Sequence, residues 1–224
     1  MLPEPITLES SCTFEGDPLE LLPRFPAKWF QCVIAAPTTV QLETGFGRLV
    51  SIFSELKRVL HPDGTLWLFA QDAYSRRRRS PLIPQRLVVS EISGLPWRLA
   101  LALQADGWYL RSDLIWHKSD VMAQNVKDRP TRAHEYLFML VREKGYYYDK
   151  SVMLERNGRN MRSVWSVASK GSDGFPAEMI RRCILASTRP HQFVLDPLGV
   201  ADIQPICDKI GRAHVAIETN NIVE

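Results

Sequence analysis

Two kinds of residue in this sequence could do chemistry: carboxylates that follow short apolar runs, and arginines concentrated in the middle of the chain. Asp196 and Glu218 each close an apolar run. In an open α/β sheet, ligands bind at the edge where such strands end. Another run, QCVIA, leads instead into a loop with no acid, base, metal ligand or aromatic surface, formed by Ala36, Pro37, Thr38 and Thr39. One strand end of the predicted site therefore lacks any group suited to a reaction.

Positive charge is concentrated between residues 74 and 170, where 18 Lys and Arg stand against 9 Asp and Glu. The most prominent clusters are the run Arg76, Arg77, Arg78 and Arg79 and the group Arg156, Arg159 and Arg162. Such an asymmetry fits a surface that binds a polyanion. A solvated face or loop explains it equally well, because charge blocks alone are a weak signal.

The elements that must position these residues alternate along the chain. Apolar residues at helical spacing predict helices over residues 49–60, 95–108 and 175–186. Short apolar runs predict strands over residues 65–70, 109–116, 136–141, 193–195 and 213–217. The sequence HPDG at 61–64 predicts a helix stop and a turn. Repeated alternation of this kind favours a doubly wound α/β fold with a mainly parallel sheet.

Length and composition limit the classes of protein that need to be considered. A chain of 224 residues with 45% hydrophobic content can bury one full core, so we expect a single domain over residues 1–224. No apolar run is long enough for a membrane span, and the first residues do not resemble a signal peptide, so we expect a cytoplasmic protein with no membrane partner. The four cysteines are scattered, which predicts reduced core thiols and no metal site.

Several stretches together resemble one protein family, the beta class of DNA amino-methyltransferases. They are GDPLELL near the start, LPWRLALALQADGWYLRSDLIWHK and DRPTRAHEYLFML in the middle, and RSVWSV, FPAEMIRRCIL and VLDPLG near the end. The resemblance implies the cofactor S-adenosylmethionine and transfer of its methyl group to N6 of adenine or N4 of cytosine in DNA. It also implies the methyltransferase sheet in circularly permuted order, with the catalytic strand before the cofactor strand.

The loop at residues 36–39 departs from the catalytic motif of that family. Relatives have Ser or Asp there, then two prolines and an aromatic residue. The polar residue accepts hydrogen bonds from the target amine, and the aromatic ring stacks on a base flipped out of the duplex. Here Ala36 replaces the acceptor, Thr38 the second proline and Thr39 the aromatic residue, and Pro37 alone remains. The loop is therefore a degenerate form of the motif.

The cofactor-binding turn departs as well, because Val200 and Asp202 occupy two positions that are glycine in the family. A Cβ in the left-handed region costs on the order of 1 kcal/mol or more. We therefore expect both side chains to fill part of the cleft and cofactor binding to be weak or lost. The resemblance still implies remnant contacts, with Asp17 at the adenine ring, Glu218 at the ribose, and Asp196 with Pro197 at the methionine portion. Solvated carboxylates at strand ends are the alternative interpretation.

A third departure concerns DNA recognition. Residues 144–174 correspond to a shortened remnant of the segment that reads the target sequence in relatives, so few side chains are available for base readout. Arg156, Arg159 and Arg162 would instead contact phosphates, as would the arginine run at 76–79. If both groups share the face of the loop at 36–39, they form one positive surface beside the cleft.

Three functions remain open. The departures together predict a DNA-binding protein that has lost catalysis and acts as a regulator or a partner subunit. The second function is an active methyltransferase with an atypical site, and the third is a protein-binding inhibitor or decoy built on the same fold. The expected partners are DNA and another protein or a second copy of the chain. His117 and His134 are interpreted as structural, because this methyl transfer needs no histidine base.

Overall fold

The computed structural model describes residues 5–76, 90–122, 125, 127–169, 174–199 and 201–219. Strands and helices alternate through these ranges. The strands are β1 (Cys12–Glu15), β2 (Phe30–Ala35), β3 (Leu60–Ala70), β4 (Tyr74–Arg76), β5 (Ser90–Ile92), β6 (Tyr109–His117), β7 (His134–Val141), β8 (Val164–Ser166), β9 (Phe193–Asp196) and β10 (Ala213–Glu218). The α-helices are α1 (Pro18–Leu21), α2 (Thr39–Thr44), α3 (Phe46–Val59), α4 (Leu95–Ala105), α5 (Ala177–Ser187) and α6 (Gln204–Ile210), and short 3₁₀ helices cover Leu22–Arg24 and Lys150–Val152.

Eight strands form one sheet in the order β1-β10-β9-β2-β3-β7-β6-β8, and β4 pairs with β5 in a separate hairpin. Within the large sheet β7 runs antiparallel to both of its neighbours, and the other pairings are parallel. The predicted doubly wound, mainly parallel sheet is confirmed. The strand β9 follows β2 along the chain and lies beside it, which agrees with the permuted order implied by the resemblance.

Both faces of the sheet are buried, as expected for a parallel sheet covered by helices on two sides. On β2, Val33 and Ala35 belong to the core that includes residues of α3 and α4. Cys32 and Ile34 belong to the opposite core, which includes residues of α5 and α6. Because successive side chains of a strand point to opposite faces, a continuous apolar run such as this one must be buried on both sides.

The structure differs from the sequence prediction most clearly at residues 61–64 and at the end of α4. Residues 61–64, predicted as a turn, lie within β3, and the pairing with β2 jumps from Phe30–Leu60 to Cys32–Thr65. The four residues therefore bulge out of an otherwise regular strand pair. Helix α4 ends at Ala105 instead of residue 108, because Gly107 turns the chain with φ of 88°.

No helix within the described part of the chain combines the length and apolar character that crossing a bilayer requires.

A buried hydrogen bond joins the sheet to α5 and gives a test of this packing. Trp67 Nε1 donates to Ser187 Oγ at 2.8 Å, and both residues are about 1% exposed. Replacing Ser187 by alanine leaves the indole N–H without this acceptor, so we expect a loss of about 1–3 kcal/mol in the free energy of unfolding. Urea unfolding followed by tryptophan fluorescence measures it.

The matched control is Ser51→Ala, because the Ser51 hydroxyl donates to Gly47 O on the exposed side of α3. Its loss should stay within about 0.5 kcal/mol. Equal losses in the two variants would show that the Trp67–Ser187 hydrogen bond does not stabilise the fold.

Candidate functional site

Four parallel strands end at one edge of the sheet and bring the sequence-predicted site residues together. Glu15 pairs with Glu218 across β1 and β10, and Ala216 pairs with Asp196 across β10 and β9. Strand β9 pairs in turn with β2. Pro37 and Pro197 therefore follow neighbouring strands at the same carboxyl edge. Asp17, which lies two residues beyond β1, joins this edge through a hydrogen bond from Gly16 N to Glu218 O at 2.9 Å.

The carboxylate of Asp196 is committed to the turn that follows β9. Its Oδ1 accepts from the backbone amides of Leu198 and Gly199 at 3.1 and 3.0 Å, and its Oδ2 accepts from Ala201 N at 2.8 Å. Burial raises the pKa of Asp196 to about 6, although the three amide hydrogen bonds oppose that shift. Asp196 therefore shapes the turn from within.

The turn itself retains a backbone conformation that glycine favours. Asp202, at one of the two family glycine positions, has φ of 42° and so lies in the left-handed region. Gly199 has φ of 64°, and a Cβ added there would lie 2.8 Å from Ile217 O and 3.1 Å from Glu218 Cα. The turn thus packs directly against the end of β10. Val200, the other expected cleft-filling residue, lies outside the described residues.

Asp17 already has an ionic partner. Its Oδ1 accepts from Leu19 N at 2.8 Å as the N-cap of α1 and lies 2.5 Å from Arg48 Nη2 on α3. The hydrogen bond from Arg48 is the main cause that lowers the pKa of Asp17 below its usual range. Any ligand that uses this carboxylate has to share it with Arg48.

The loop at residues 36–39 serves as a helix cap. Thr38 Oγ1 accepts from Gln41 N at 3.2 Å, and Thr38 N donates to Gln41 Oε1 at 2.7 Å, which is the reciprocal pattern of a capping box. Thr39 begins α2, and Ala36 is buried in the core of the α5 face. The hydroxyl and the backbone amide of Thr38 are therefore both engaged in capping α2.

The two arginine groups lie at different places. Arg76 ends β4 shortly after β3 leaves the carboxyl edge, and Arg77, Arg78 and Arg79 lie outside the described residues. Strand β8 runs toward the carboxyl edge, because Val164 pairs with Ile115 and Ser166 with His117. Arg162 precedes β8 and therefore lies on the side away from that edge.

The group at residues 156–162 belongs to a surface hairpin. Arg156 and Arg159 are exposed beside the isolated bridge that joins Leu154 and Asn160, and Arg162 Nε donates to Glu155 Oε1 at 2.8 Å. Arg162 also lines a cavity of about 130 Å³ with Ser112 and Met139 from the sheet. The structure does not bring Arg162 to the face of the loop at 36–39, so the single positive surface expected from the sequence is not formed by both groups.

Sequence reasoning missed a second group of residues at the carboxyl edge. A cavity of about 300 Å³ opens where β3 and β6 end and the antiparallel β7 begins, and its lining includes Asp72, Tyr74, Lys118, Arg132, His134 and Glu135. The stretches SDLIWHK and DRPTRAHEY, which carry much of the resemblance, contain four of these six residues. The sequence could have indicated this group of residues, because most of them lie in stretches that carry the family resemblance. His134, interpreted as structural, lines this cavity, whereas His117 Nδ1 contacts Ser166 Oγ at 3.1 Å.

Within the described ranges, no cluster of three or more His, Cys, Asp or Glu side chains is arranged to hold a metal ion.

Comparison with known proteins decides the family. A family model described as DNA methylase matches residues 42–221. The type II methyltransferase M.Cfr9I of Citrobacter freundii is 41% identical over 258 residues, which cover 97% of this chain and 86% of the relative. M.SmaI of Serratia marcescens, also a type II methyltransferase, is 35% identical over 256 residues, covering 95% and 88%. The chain is a DNA amino-methyltransferase family member.

Solved structures of two proteins show the same fold. The PvuII DNA methyltransferase, which is cytosine-N4-specific, has a TM-score of 0.79 at 17% identity and covers 96% of this chain and 83% of that chain. A putative DNA modification methylase from Thermus thermophilus, complexed with S-adenosyl-L-methionine, has a TM-score of 0.74 at 21% identity, covering 93% and 87%.

Membership of the DNA amino-methyltransferase family implies S-adenosylmethionine as the cofactor, and the carboxyl edge fits part of it. Glu218 is exposed at the end of β10, and Gly199 has no side chain, which lets the turn after β9 pack closely against Glu218 Cα. Together with Asp17, these residues suit the adenosine portion. For the methionine portion, the Asp196 carboxylate has fewer free acceptor sites, because it already accepts hydrogen bonds from three amides of the turn.

The contact between Gly199 and β10 can be tested by replacing Gly199 with alanine. We expect the left-handed backbone to cost about 1–2 kcal/mol, and the clash with Ile217 O and Glu218 Cα to add about 1–3 kcal/mol. Gly158→Ala is the matched control, because Gly158 has φ of 77° and no atom lies within 4 Å of an added Cβ. Urea unfolding of both variants measures the difference. Equal destabilisation would mean that the turn does not pack tightly on β10.

Proposed function

We propose that the protein transfers a methyl group from S-adenosylmethionine to an exocyclic amine of DNA, at N6 of adenine or N4 of cytosine. The observation that carries this proposal is the convergence of Asp17, Glu218, Asp196 and Pro37 at the ends of four neighbouring parallel strands. It is supported by the relatives M.Cfr9I and M.SmaI, which are type II methyltransferases at 41% and 35% identity. The PvuII enzyme, a cytosine-N4-specific methyltransferase, has the same fold.

Each residue at the edge has a separate task in this proposal. Glu218 accepts hydrogen bonds from ribose hydroxyls, and Asp17 accepts from the adenine amine while Arg48 holds it in place. Asp196 fixes the turn that forms the floor of the cleft. Pro37 holds the start of the loop beside that turn. The cofactor, when bound, supplies an electrophilic methyl group to the amine of the base.

A second candidate is a DNA-binding member of the family that has lost catalysis and acts as a regulator or partner subunit. The degenerate loop favours it, because Ala36 provides no acceptor and Thr39 no aromatic surface, and because Thr38 is engaged in capping α2. Val200 and Asp202 also favour it, because side chains at these two family glycine positions would weaken cofactor binding. The two candidates differ in whether methyl groups reach DNA.

Methyl transfer is tested with radiolabelled S-adenosylmethionine and duplex DNA, alongside calorimetric titration of the cofactor. We expect cofactor binding, methyl incorporation into DNA, and a loss of roughly tenfold or more in cofactor affinity in Glu218→Gln, which loses a charged hydrogen-bond partner. Glu178→Gln is the matched control, because Glu178 lies on α5 and pairs with Arg182. DNA binding without incorporation would support the second candidate and reject the first.

The arrangement of arginines predicts how the protein binds DNA. The run at 76–79 starts at the carboxyl edge, whereas the group at 156–162 lies on a surface hairpin away from it. We propose that the first group contacts phosphates beside the cleft and that residues 144–174 are a shortened recognition segment with little base readout. The alignment with M.Cfr9I spans 258 residues, more than the 224 of this chain, so the relative carries segments that this chain lacks.

Replacing Arg76, Arg77, Arg78 and Arg79 by alanine should flatten the dependence of log K on log salt by about two to four units, at about 0.9 for each phosphate that is no longer neutralised. Replacing Arg156, Arg159 and Arg162 should flatten it less, because that group lies away from the cleft. Fluorescence anisotropy with duplexes of several sequences measures both, and all sequences should weaken about equally. If the parent protein does not bind DNA at low salt, a protein-partner role as an inhibitor or decoy replaces both DNA functions.

A further inference from the structure

The cavity of about 130 Å³ beside Arg162 lies on the α5 face of the sheet, away from the carboxyl edge. One wall is formed by Trp67, Met139 and Ser112, which are paired side by side across β3, β7 and β6. Met139 lies four residues along β7 from Glu135, which is roughly 13 Å of extended strand. The cavity is therefore separate from the polar cavity at the carboxyl edge.

A gap in strand pairing explains why a cavity forms here. Strand β8 pairs with β6 only over Ile115–His117, so within the described ranges residues 109–114 have a partner strand on one side only. A hairpin covers this part of the sheet face instead, and its arms are joined by Met161 N, which donates to Met153 O at 2.9 Å. The cavity is the space between this hairpin and the sheet, and both methionines line it.

The buried part of the lining is apolar. Five of the lining side chains are at most 7% exposed, namely Trp67, Leu114, Met139, Met153 and Trp165. Both indole N–H groups already have acceptors, since Trp67 Nε1 donates to Ser187 Oγ at 2.8 Å and Trp165 Nε1 donates to Arg162 O at 2.9 Å. A water molecule inside would find few of the roughly two to four polar partners that it needs, so an apolar ligand is favoured.

Polar groups lie at the mouth of the cavity. Ser112 Oγ donates to Asp113 O at 3.4 Å, a long hydrogen bond that a ligand hydroxyl can replace. The Arg162 side chain is 85% exposed and its Nε donates to Glu155 Oε1 at 2.8 Å, so its charge is both solvated and paired. Burial raises the pKa of Tyr148 above its usual range, so this hydroxyl stays protonated at neutral pH. An anionic ligand would therefore gain little and would meet the Glu155 carboxylate.

The size of the cavity limits the ligand. An apolar cavity of about 150 Å³ binds benzene, so a volume of about 130 Å³ with a polar mouth fits a single ring. Aromatic rings suit this lining, because they pack well against indole rings and thioether sulfurs.

We propose that this cavity binds an uncharged molecule with one aromatic ring, of the size of phenol. The ring contacts Met139, Met153 and Trp165, and a hydroxyl group on the ring lies at Ser112. The site goes beyond the proposed methyl transfer and does not depend on it.

Methionine methyl signals test this proposal, because three of the six methionines line the cavity. Protein labelled with ¹³C at the methionine methyl groups is titrated with phenol and with benzoate at pH 7.5. We expect phenol to shift the signals of Met139, Met153 and Met161 and to bind about tenfold more tightly than benzoate, whose charge is costly to bury.

Two further methionines are internal controls. Met179 is buried in the same core without lining the cavity, and Met122 is 86% exposed, so both signals should stay in place. No shift at the three lining residues, equal shifts at Met122 or Met179, or tighter binding of benzoate than of phenol would overturn the proposal.

Filling the cavity gives a second test. Ser112→Leu places a larger side chain into the space from β6, so we expect phenol binding to weaken about tenfold or more. Ser51→Leu is the matched control, because Ser51 lies on the exposed side of α3 and should leave phenol binding unchanged. Thermal unfolding checks that each variant is folded, and Ser112→Val provides the test if Ser112→Leu is not. Unchanged phenol affinity in a folded Ser112 variant would reject the cavity as the binding site.

Discussion

The site depends on a buried carboxylate, Asp196, that organises the turn at the end of the central strand β9. A carboxylate buried without hydrogen bonds would be costly, and here three backbone amides of the turn meet that requirement. In return, Asp196 fixes the path of the turn, so that Gly199 lies against the end of β10 and Glu218. The position of Glu218 relative to β9 and β2 is thus set by one buried charge and by the parallel pairing of the strands.

Other polar groups at the same edge have structural roles too. Thr38 caps α2, and Asp17 caps α1 and pairs with Arg48. These contacts stabilise the two helices at their N-termini, where unpaired amides need acceptors. The consequence is that the ends of β1 and β2 have fewer polar atoms available for a ligand than their positions suggest. Further polar side chains at this edge follow β3 or begin β7, among them Asp72 and Glu135, which line the cavity.

The sequence predicted the centre of the sheet well, because β2, β9 and β10 are short apolar runs with both faces buried. It did not predict β1 or β8, since these strands have only four and three residues and neither is a continuous buried run. The carboxylates at the ends of β9 and β10 were identified because an acid after a buried strand is a local pattern. The polar cavity was not, because Asp72 and Glu135 are far apart in sequence and meet only through the antiparallel pairing of β3 with β7. Periodicity cannot show which strands become neighbours.

The distribution of charge around the edge separates two aspects of DNA binding. Arg129 lies over Tyr74, which lines the polar cavity, and the lining of that cavity includes two carboxylates and two cationic side chains. Contacts to phosphates give affinity that does not depend on sequence, whereas contacts to base edges require matched donors and acceptors. Inside the cavity, Asp72 accepts from two backbone amides and Glu135 pairs with Lys118, so its acceptors are held in fixed positions. The exposed charge and the fixed polar groups at this edge are therefore suited to different kinds of contact.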